Sequence, residues 1–267
     1  MRVAVLGCAG RMGRMLVRAI SEAPDGLVLA GGTVRSGGAG AGQDIGAIAG
    51  LPPLGLAATD DATALFAKAD VAIDFTSPDA TLAHVRLAAQ AQVPMVVGTT
   101  GLDAGQRALV EQASRHVPIV LAANTSLGVT LLAALVEQAA RTLDPGFDIE
   151  IVEMHHRRKV DAPSGTALAL GAAAAAGRGV DPGQAAVRAR DGLTGPRREG
   201  DIGYAVLRGG DVVGEHTVVF AGDGERIELT HKAGDRMVFA RGALRAARWV
   251  RRQAPGLYSM RDVLGVA

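Results

Sequence analysis

Polar and apolar positions alternate through Asp148-Ile-Glu-Ile-Val-Glu153, the period of two that sends successive side chains to opposite faces of a strand. The run leads into His155-His-Arg-Arg-Lys159. Continued through it, the alternation predicts His155, Arg157 and Lys159 on one face and His156 and Arg158 on the other. Asp161-Ala-Pro163 then predicts a turn, and Ser164-Gly-Thr-Ala-Leu-Ala-Leu-Gly-Ala-Ala supplies helix formers as far as a stop at Gly177.

Earlier in the chain the pattern is different. Arg2-Val-Ala-Val-Leu-Gly7 is continuously apolar, and Met12, Met15, Leu16, Ala19 and Ile20 recur behind it at helical spacing. Leu27–Thr33, Val71–Phe75, Pro94–Gly98 and Pro118–Ala123 repeat the apolar strand, and the last three each feed a helix start. Strands alternating with helices predict a parallel sheet covered by helices. Gly37–Gly50 reads as a glycine-rich loop with one helical turn near Asp44, and Leu127–Leu143 as a long helix with a domain crossover near its start. From Asp148 to Ala233 the texture changes to short β-rich runs, Gly203–Arg208, Val212–Phe220 and Arg226–Lys232. Gly209-Gly-Asp211 and Ala221-Gly-Asp-Gly224 fit hairpin turns between them. A last helix, Ala240–Gln253, carries Arg241, Arg245, Arg248, Arg251 and Arg252 as its solvated face.

Composition narrows the function classes. The 267 residues, 48% of them hydrophobic, suffice for two modest domains with real cores. A formal net charge of +1 gives no global drive toward nucleic acid or an anionic membrane. No apolar run approaches the roughly 20 residues of a membrane span. Cys8 is the single cysteine and residues 1–22 show strand and helix patterns in place of a cleavable leader, so a reducing cytoplasm is expected. No Cys, His or carboxylate spacing calls for a metal, and His216 and His231 read as half-buried sheet residues.

Two stretches carry chemistry. A helix starting at Ser164 would turn free N–H groups and the positive end of its dipole toward the cationic strand end, with Ser164 and Thr166 as hydroxyl donors, an arrangement that suits a carboxylate or a phosphate. His155 and Lys159 could supply a proton at neutral pH, an imidazole titrating near ~6.5 and a lysine among cations below its usual ~10.4. The same residues also fit a solvated strand end before an ordinary Ser-capped helix. The second stretch is Gly7-Cys-Ala-Gly10-Arg-Met-Gly13, a strand, glycine turn and helix start where a dinucleotide pyrophosphate docks. At the end of the next strand Val34 and Arg35 stand where an acid would bind a ribose 2′-hydroxyl, and the cation favours a 2′-phosphate. Gly98, Thr99, Thr100 and Asn124, at carboxyl ends of later strands, are candidate cofactor contacts that helix capping explains equally well.

Gly7–Gly13, Asp74-Phe-Thr-Ser-Pro78, Gly98-Thr-Thr-Gly101, Ala123-Asn-Thr-Ser126 and above all Glu153-Met-His-His-Arg-Arg-Lys-Val-Asp-Ala-Pro-Ser-Gly-Thr-Ala167 resemble the 4-hydroxy-tetrahydrodipicolinate reductase family of lysine and diaminopimelate synthesis, nearly end to end. The resemblance implies an α/β fold with a Rossmann-like nucleotide-binding domain over residues 1–126, completed by 237–267, and an α+β mixed-sheet domain over 127–236 that binds substrate and assembles a homotetramer. It implies His155 as catalytic acid/base and Lys159 as second proton donor. His156 would contact a small cyclic dicarboxylate substrate, and Ser164, Gly165 and Thr166 would hold its carboxylate. The implied cofactor contacts are Gly7, Cys8, Ala9, Gly10, Arg11, Met12, Val34, Arg35, Gly98, Thr99, Thr100, Ala122, Ala123, Asn124 and Thr125. NADPH is the expected reductant, with NADH possible, because Val34 occupies a position that is acidic in many relatives. Thr125 stands where some relatives carry an aromatic residue. Another NAD(P)-dependent dehydrogenase of amino-acid metabolism and a non-catalytic NADP-binding regulator share the glycine turn and are the alternatives.

Overall fold

The computed structural model describes residues 1–23, 26–38 and 40–266. Ala39 of the expected glycine-rich loop and Ala267 of the expected C-terminal segment lie outside the described residues. The chain forms two compact units, Met1–Leu127 with Arg236–Gly265, and Gly128–Asp235 with Val266.

In the first unit β1 (Arg2–Leu6), β2 (Val28–Gly32), β3 (Val71–Asp74), β4 (Met95–Val97) and β5 (Pro118–Leu121) alternate with α1 (Arg11–Ser21), α2 (Ile45–Ala49), α3 (Ala62–Phe66), α4 (Pro78–Ala91) and α5 (Ala104–Ser114). The strands are apolar throughout because the sheet is buried on both faces. Val3, Val5 and Ile73 pack on one side with Leu16 and Val17 of α1, while Ala4, Leu6 and Ala72 pack on the other with Phe66, Val85 and Val110. β1 pairs in parallel with β2 on one side and β3 on the other, so the strand order reverses beside the glycine turn, the place where open α/β sheets leave a crevice.

The second unit opens with α6 (Leu127–Thr142) and β6 (Asp148–His155). It continues through α7 (Gly165–Arg178), α8 (Pro182–Ala185), β7 (Ala186–Val187), β8 (Ile202–Arg208), β9 (Gly214–Gly222) and β10 (Glu225–Ala233). The chain then returns to the first unit as α9 (Met237–Val250), β11 (Gly256–Tyr258) and α10 (Met260–Leu264). Ala243, Leu244 and Ala247 of α9 join α1 in covering the first sheet, and β11 adds a sixth parallel strand beside β5. The arginine-rich helix therefore starts three residues earlier than its pattern suggests. A three-residue strand is too short to show any periodicity, which is why β11 leaves no signal.

The second sheet is mixed, in the order β10-β9-β6-β8-β7. β9 and β10 form the expected antiparallel hairpin around Asp223-Gly224. Gly209-Gly-Asp211 does not make a hairpin: β6 lies between β8 and β9, parallel to one and antiparallel to the other. Ile149 and Ile151 of β6, beside their register partners Phe220 and Val218 of β9, pack with Leu132 and Val136 of α6 and Leu170 and Ala174 of α7. Val152, Met154 and Val219 lie half-exposed on the opposite face, and Leu207 beside them is 50% exposed.

Two local expectations need correction. Gly177 lies inside α7, where a Cβ would come within 2.4 Å of the Glu137 carbonyl oxygen, so the glycine is there for close helix packing. The helix stops instead at Gly179, whose φ of +67° is the left-handed conformation glycine accepts without cost. The strand alternation likewise ends at His155. His156 N–H donates to Val212 O at 2.7 Å and Lys159 N–H to His156 O at 3.1 Å, a turn that breaks the shared face expected for Arg157 and Lys159.

Candidate functional site

Most of the residues expected to contact a nucleotide gather at the carboxyl ends of the first sheet. Gly7 has φ +73°, and a Cβ there would stand 2.8 Å from Thr76 Cγ2. A Cβ on Gly13 would stand 2.2 Å from Gly7 O, so the helix packs on the turn only as glycine. Gly10, the N-cap of α1, contributes no side-chain cap, which leaves first-turn N–H groups directed at the turn for an anion. A cavity of about 530 Å³ beside it is lined by Gly7, Ala9, Gly10, Val34 and Arg35. Arg35 is exposed and Val34 half-buried. A second cavity of the same unit, about 360 Å³, takes Arg11, Met12, Gly98, Thr99, Thr100, Ala123, Asn124 and Thr125. Cys8 and Ala122 line neither and pack in the core. Burial pushes the Cys8 thiol up to about 11, so it is an inert packing group. The glycine cradle, the uncapped helix start and the flanking hydroxyls fit a nicotinamide dinucleotide.

Residues that were not among the expected contacts, Phe75, Phe239, Asp74 and Asp60, also shape these cavities. A Cβ on Gly98 would fall 2.1 Å from Phe75 Cε1, so the glycine makes room for that ring. Thr125 is buried and its Oγ1 donates to Phe239 O at 2.7 Å. Phe239, from α9, lines the same cavity and supplies an aromatic face beside Thr125 that the local sequence lacks. Asp74, fully buried at the end of β3, accepts from Thr76 N at 2.7 Å, from Thr76 Oγ1 at 2.6 Å and from Thr99 Oγ1 at 3.4 Å, and pairs with His84 Nδ1 at 2.8 Å. One carboxylate thus sets two cavity-lining loops. Asp60 reaches the cavity beside Arg35, where its carboxylate accepts from Ser36 Oγ at 3.0 Å.

In the second unit His155 ends β6 at 8% exposure. Its Nδ1 lies 2.5 Å from Glu153 Oε2. Glu153, 1% exposed, also receives Arg208 Nη1 at 2.8 Å, Arg208 Nη2 at 2.9 Å and Ser164 N at 3.0 Å. Burial pushes the Glu153 carboxyl up, but the bonds from Arg208, His155 and Ser164 outweigh it and hold the group below the usual carboxylate range. Burial lowers the His155 imidazole further than Glu153 raises it. A Cβ on Gly214 would come within 3.0 Å of His155 Nε2, so the glycine keeps that nitrogen clear. The His216 ring stands edge-on to His155 with centroids 5.1 Å apart, and His216 Nε2 lies 3.0 Å from Ser164 Oγ. Ser164 Oγ in turn accepts from Ala167 N at 3.1 Å as the N-cap of the 14-residue α7. Gly165 is exposed and Thr166 and His156 are half-buried. Lys159 Nζ is held 2.8 Å from both carboxylate oxygens of Asp161, so its nearest charge is an anion and not the cluster of cations the sequence suggested.

The structure thus brings His155 and Ser164 together through Glu153 and His216, and sets Lys159 in the adjoining turn. Arg208 and His216 are the residues missed here. His216 reads in the sequence only as a half-buried sheet residue, and it is the register pairing His216 with Glu153 that shows what it meets. Among the described residues no group of three or more His, Cys, Asp or Glu side chains is arranged to hold a metal, and no helix is long and apolar enough to cross a membrane.

Known proteins match this architecture along the whole chain. The family model for the dihydrodipicolinate reductase N-terminus matches residues 1–125, and that for its C-terminus residues 128–264. A 4-hydroxy-tetrahydrodipicolinate reductase of Rhodopseudomonas palustris strain BisB18 is 59% identical, covering 100% of this chain and 98% of the relative. One from Parvibaculum lavamentivorans is 59% identical over 99% of this chain and 98% of its own length. Among solved structures, a dipicolinate-bound dihydrodipicolinate reductase from Paenisporosarcina sp. TG-14 superposes with a TM-score of 0.77 at 24% identity, covering 98% of both chains. An amine dehydrogenase from Mycobacterium smegmatis reaches 0.62 at 15% identity over 97% of this chain and 95% of its own, a likeness of fold alone.

The geometry makes a prediction about acid stability. Burial lowers the His216 pKa from 6.5 to about 4, with the neighbouring His155 adding to the effect. The unfolded chain therefore takes up this proton first as pH falls, and the stability that neutral His216 contributes is complete above about 6.5 and lost by about pH 4. Thermal denaturation between pH 7.5 and 4.5 should show a steeper fall in Tm for the wild type than for His216→Asn; parallel slopes would contradict it.

Proposed function

The chain belongs to the dihydrodipicolinate reductase family and is an NAD(P)H oxidoreductase, and we propose that it reduces 4-hydroxy-tetrahydrodipicolinate to tetrahydrodipicolinate with loss of water, in lysine and diaminopimelate synthesis, with His155 and Lys159 as its proton donors. The observation that carries the residue assignment is the His155 environment: Nδ1 is committed to Glu153, and Gly214 leaves Nε2 clear.

The bound dihydronicotinamide supplies the hydride. The protein binds, orients and manages protons. The first turn of α7, with Gly165 and Thr166, offers N–H and hydroxyl donors to one substrate carboxylate. His156 is the proposed further contact. Lys159 exchanges Asp161 for the substrate, and because Asp161 is exposed that exchange costs little. His155 donates from Nε2, and a dry environment around it strengthens the interaction with the charge that develops on the substrate. A non-catalytic regulator would have no use for this arrangement.

NADPH is the proposed reductant. Val34 cannot accept from a ribose 2′-hydroxyl, whereas the exposed Arg35 lines the cavity and can pair with a 2′-phosphate. The half-exposed apolar face of the second sheet, with Val152, Met154, Leu207 and Val219, is the proposed contact of a cytoplasmic homotetramer.

Two kinetic predictions follow from these assignments. His155→Gln and Lys159→Met should each lower kcat by about 10²- to 10⁴-fold with NADPH affinity little changed, and Thr166→Ala should act mainly on KM, as a contact shared by ground and transition states does. Near-normal kcat in both the His155 and Lys159 variants would remove the catalytic assignment. NADPH should give a kcat/KM at least about tenfold above NADH, since charge-assisted bonds contribute roughly 1.5–3 kcal/mol each before desolvation, and Arg35→Ala should erase the difference. Equal use of both cofactors by the wild type would refute the role of Arg35 and leave the enzyme class intact.

A further inference from the structure

Glu153 occupies a position where a carboxylate is expensive. It lies on the covered face of β6, in line with Ile149 and Ile151, and is 1% exposed. Apolar side chains commonly serve such a face as well as or better than a buried ion pair does. Every contact the carboxylate makes leads toward the proposed chemistry. Oε2 accepts from His155 Nδ1 and Arg208 Nη1, and Oε1 from Ser164 N and Arg208 Nη2. Arg208 extends the connection, since its Nη2 also donates to Asp161 O at 2.8 Å, and Asp161 holds Lys159. His155, the α7 cap and the Lys159 turn are all fastened to one buried anion.

We infer that Glu153, clamped by Arg208, is a positioning residue that fixes the tautomer and orientation of His155, so that Nδ1 always carries a proton and Nε2 is the nitrogen that exchanges one with substrate. An ionised carboxylate can only accept, so Nδ1 must donate. The two-pronged grip of Arg208 holds the carboxylate plane, and with it the ring, while the His216 ring packs against His155 in a T-shaped contact. The missing side chain at Gly214 then leaves Nε2 as the free atom.

The inference rests on His155 acting as the proton donor, so its test must separate the two ideas. Glu153→Gln keeps the shape and removes one acceptor oxygen. Arg208 donates to both oxygens and so opposes the new amide NH₂ at either position, whereas Ser164 N–H can only donate and His155 Nδ1 can change roles; the NH₂ is therefore driven toward His155, where it turns Nδ1 into an acceptor and moves the neutral-state proton to Nε2. In the folded enzyme kcat should fall by about 10²- to 10⁴-fold, the range general acid catalysis contributes and at its upper end what loss of the right tautomer costs in another carboxylate–histidine pair, while the Kd for NADPH stays at its wild-type value. The limb of the pH–rate profile that reports His155 should move to lower pH, because the anion that supports the imidazolium is gone. Nitrogen-15 NMR of labelled histidine should show the His155 proton on Nδ1 in the wild type and on Nε2 in the variant. Glu153→Asp serves if the glutamine variant does not fold: the charge remains but the shorter side chain withdraws from Nδ1, and kcat should fall by a smaller factor. An impaired His155→Gln beside a Glu153→Gln, or a folded Glu153→Asp, with wild-type kcat and pH profile would overturn the positioning role alone. A His155→Gln with wild-type kcat would overturn the donor assignment beneath it.

Discussion

A carboxylate enclosed by an apolar sheet face is tolerated only when each of its oxygens is met by donors. Glu153 meets that condition with Arg208, His155 and the Ser164 N–H. The requirement explains features that otherwise look unrelated. β8 must run parallel beside β6 so that Arg208 stands level with His155, and the chain after Lys159 must turn back so that Ser164 can both donate to Glu153 and cap α7. β9 must begin at Gly214 for His216 to reach Ser164 without covering His155 Nε2. The mixed topology of this sheet is the geometry that brings a cation, an imidazole and a helix start to the same anion.

The first unit solves its own problem in the same way. Asp74 closes β3 as a fully buried carboxylate, accepts from Thr76 and Thr99, and pairs with His84. Loops at strand ends carry ligand-binding residues but have little packing of their own. An acid at the end of a central strand gives those loops a fixed point, and glycines at positions 7, 13 and 98 let backbone and rings approach as closely as the turn demands. Each unit thus keeps a buried acid where the sheet ends and the loops begin.

Much of this was legible in the sequence because continuous apolar strands, helical spacing and strand alternation are local signals. The parallel sheet, the glycine turn, the long helix after β5 and the β9–β10 hairpin all follow from them. What escaped was long-range. Nothing around Gly209 shows that β6 separates β8 from β9, because strand order is set by pairing over some fifty residues, as Glu153 with Val206. Arg208 read as the end of a strand and His216 as a sheet histidine, and only register gives each a partner. Phe239 reaches the Thr125 cavity from a helix more than a hundred positions away. The sequence neighbours of Lys159 are basic, whereas the turn at His156 delivers it to Asp161.

Chemistry is the central claim, and the direct test is oxidation of NADPH by the purified full-length chain in the presence of freshly prepared 4-hydroxy-tetrahydrodipicolinate, followed at the nicotinamide absorbance with the product identified by mass. Loss of one NADPH for each tetrahydrodipicolinate formed, dependent on that substrate, is the predicted result. No oxidation above the rate without substrate, from protein shown to be folded and to bind NADPH, would contradict it.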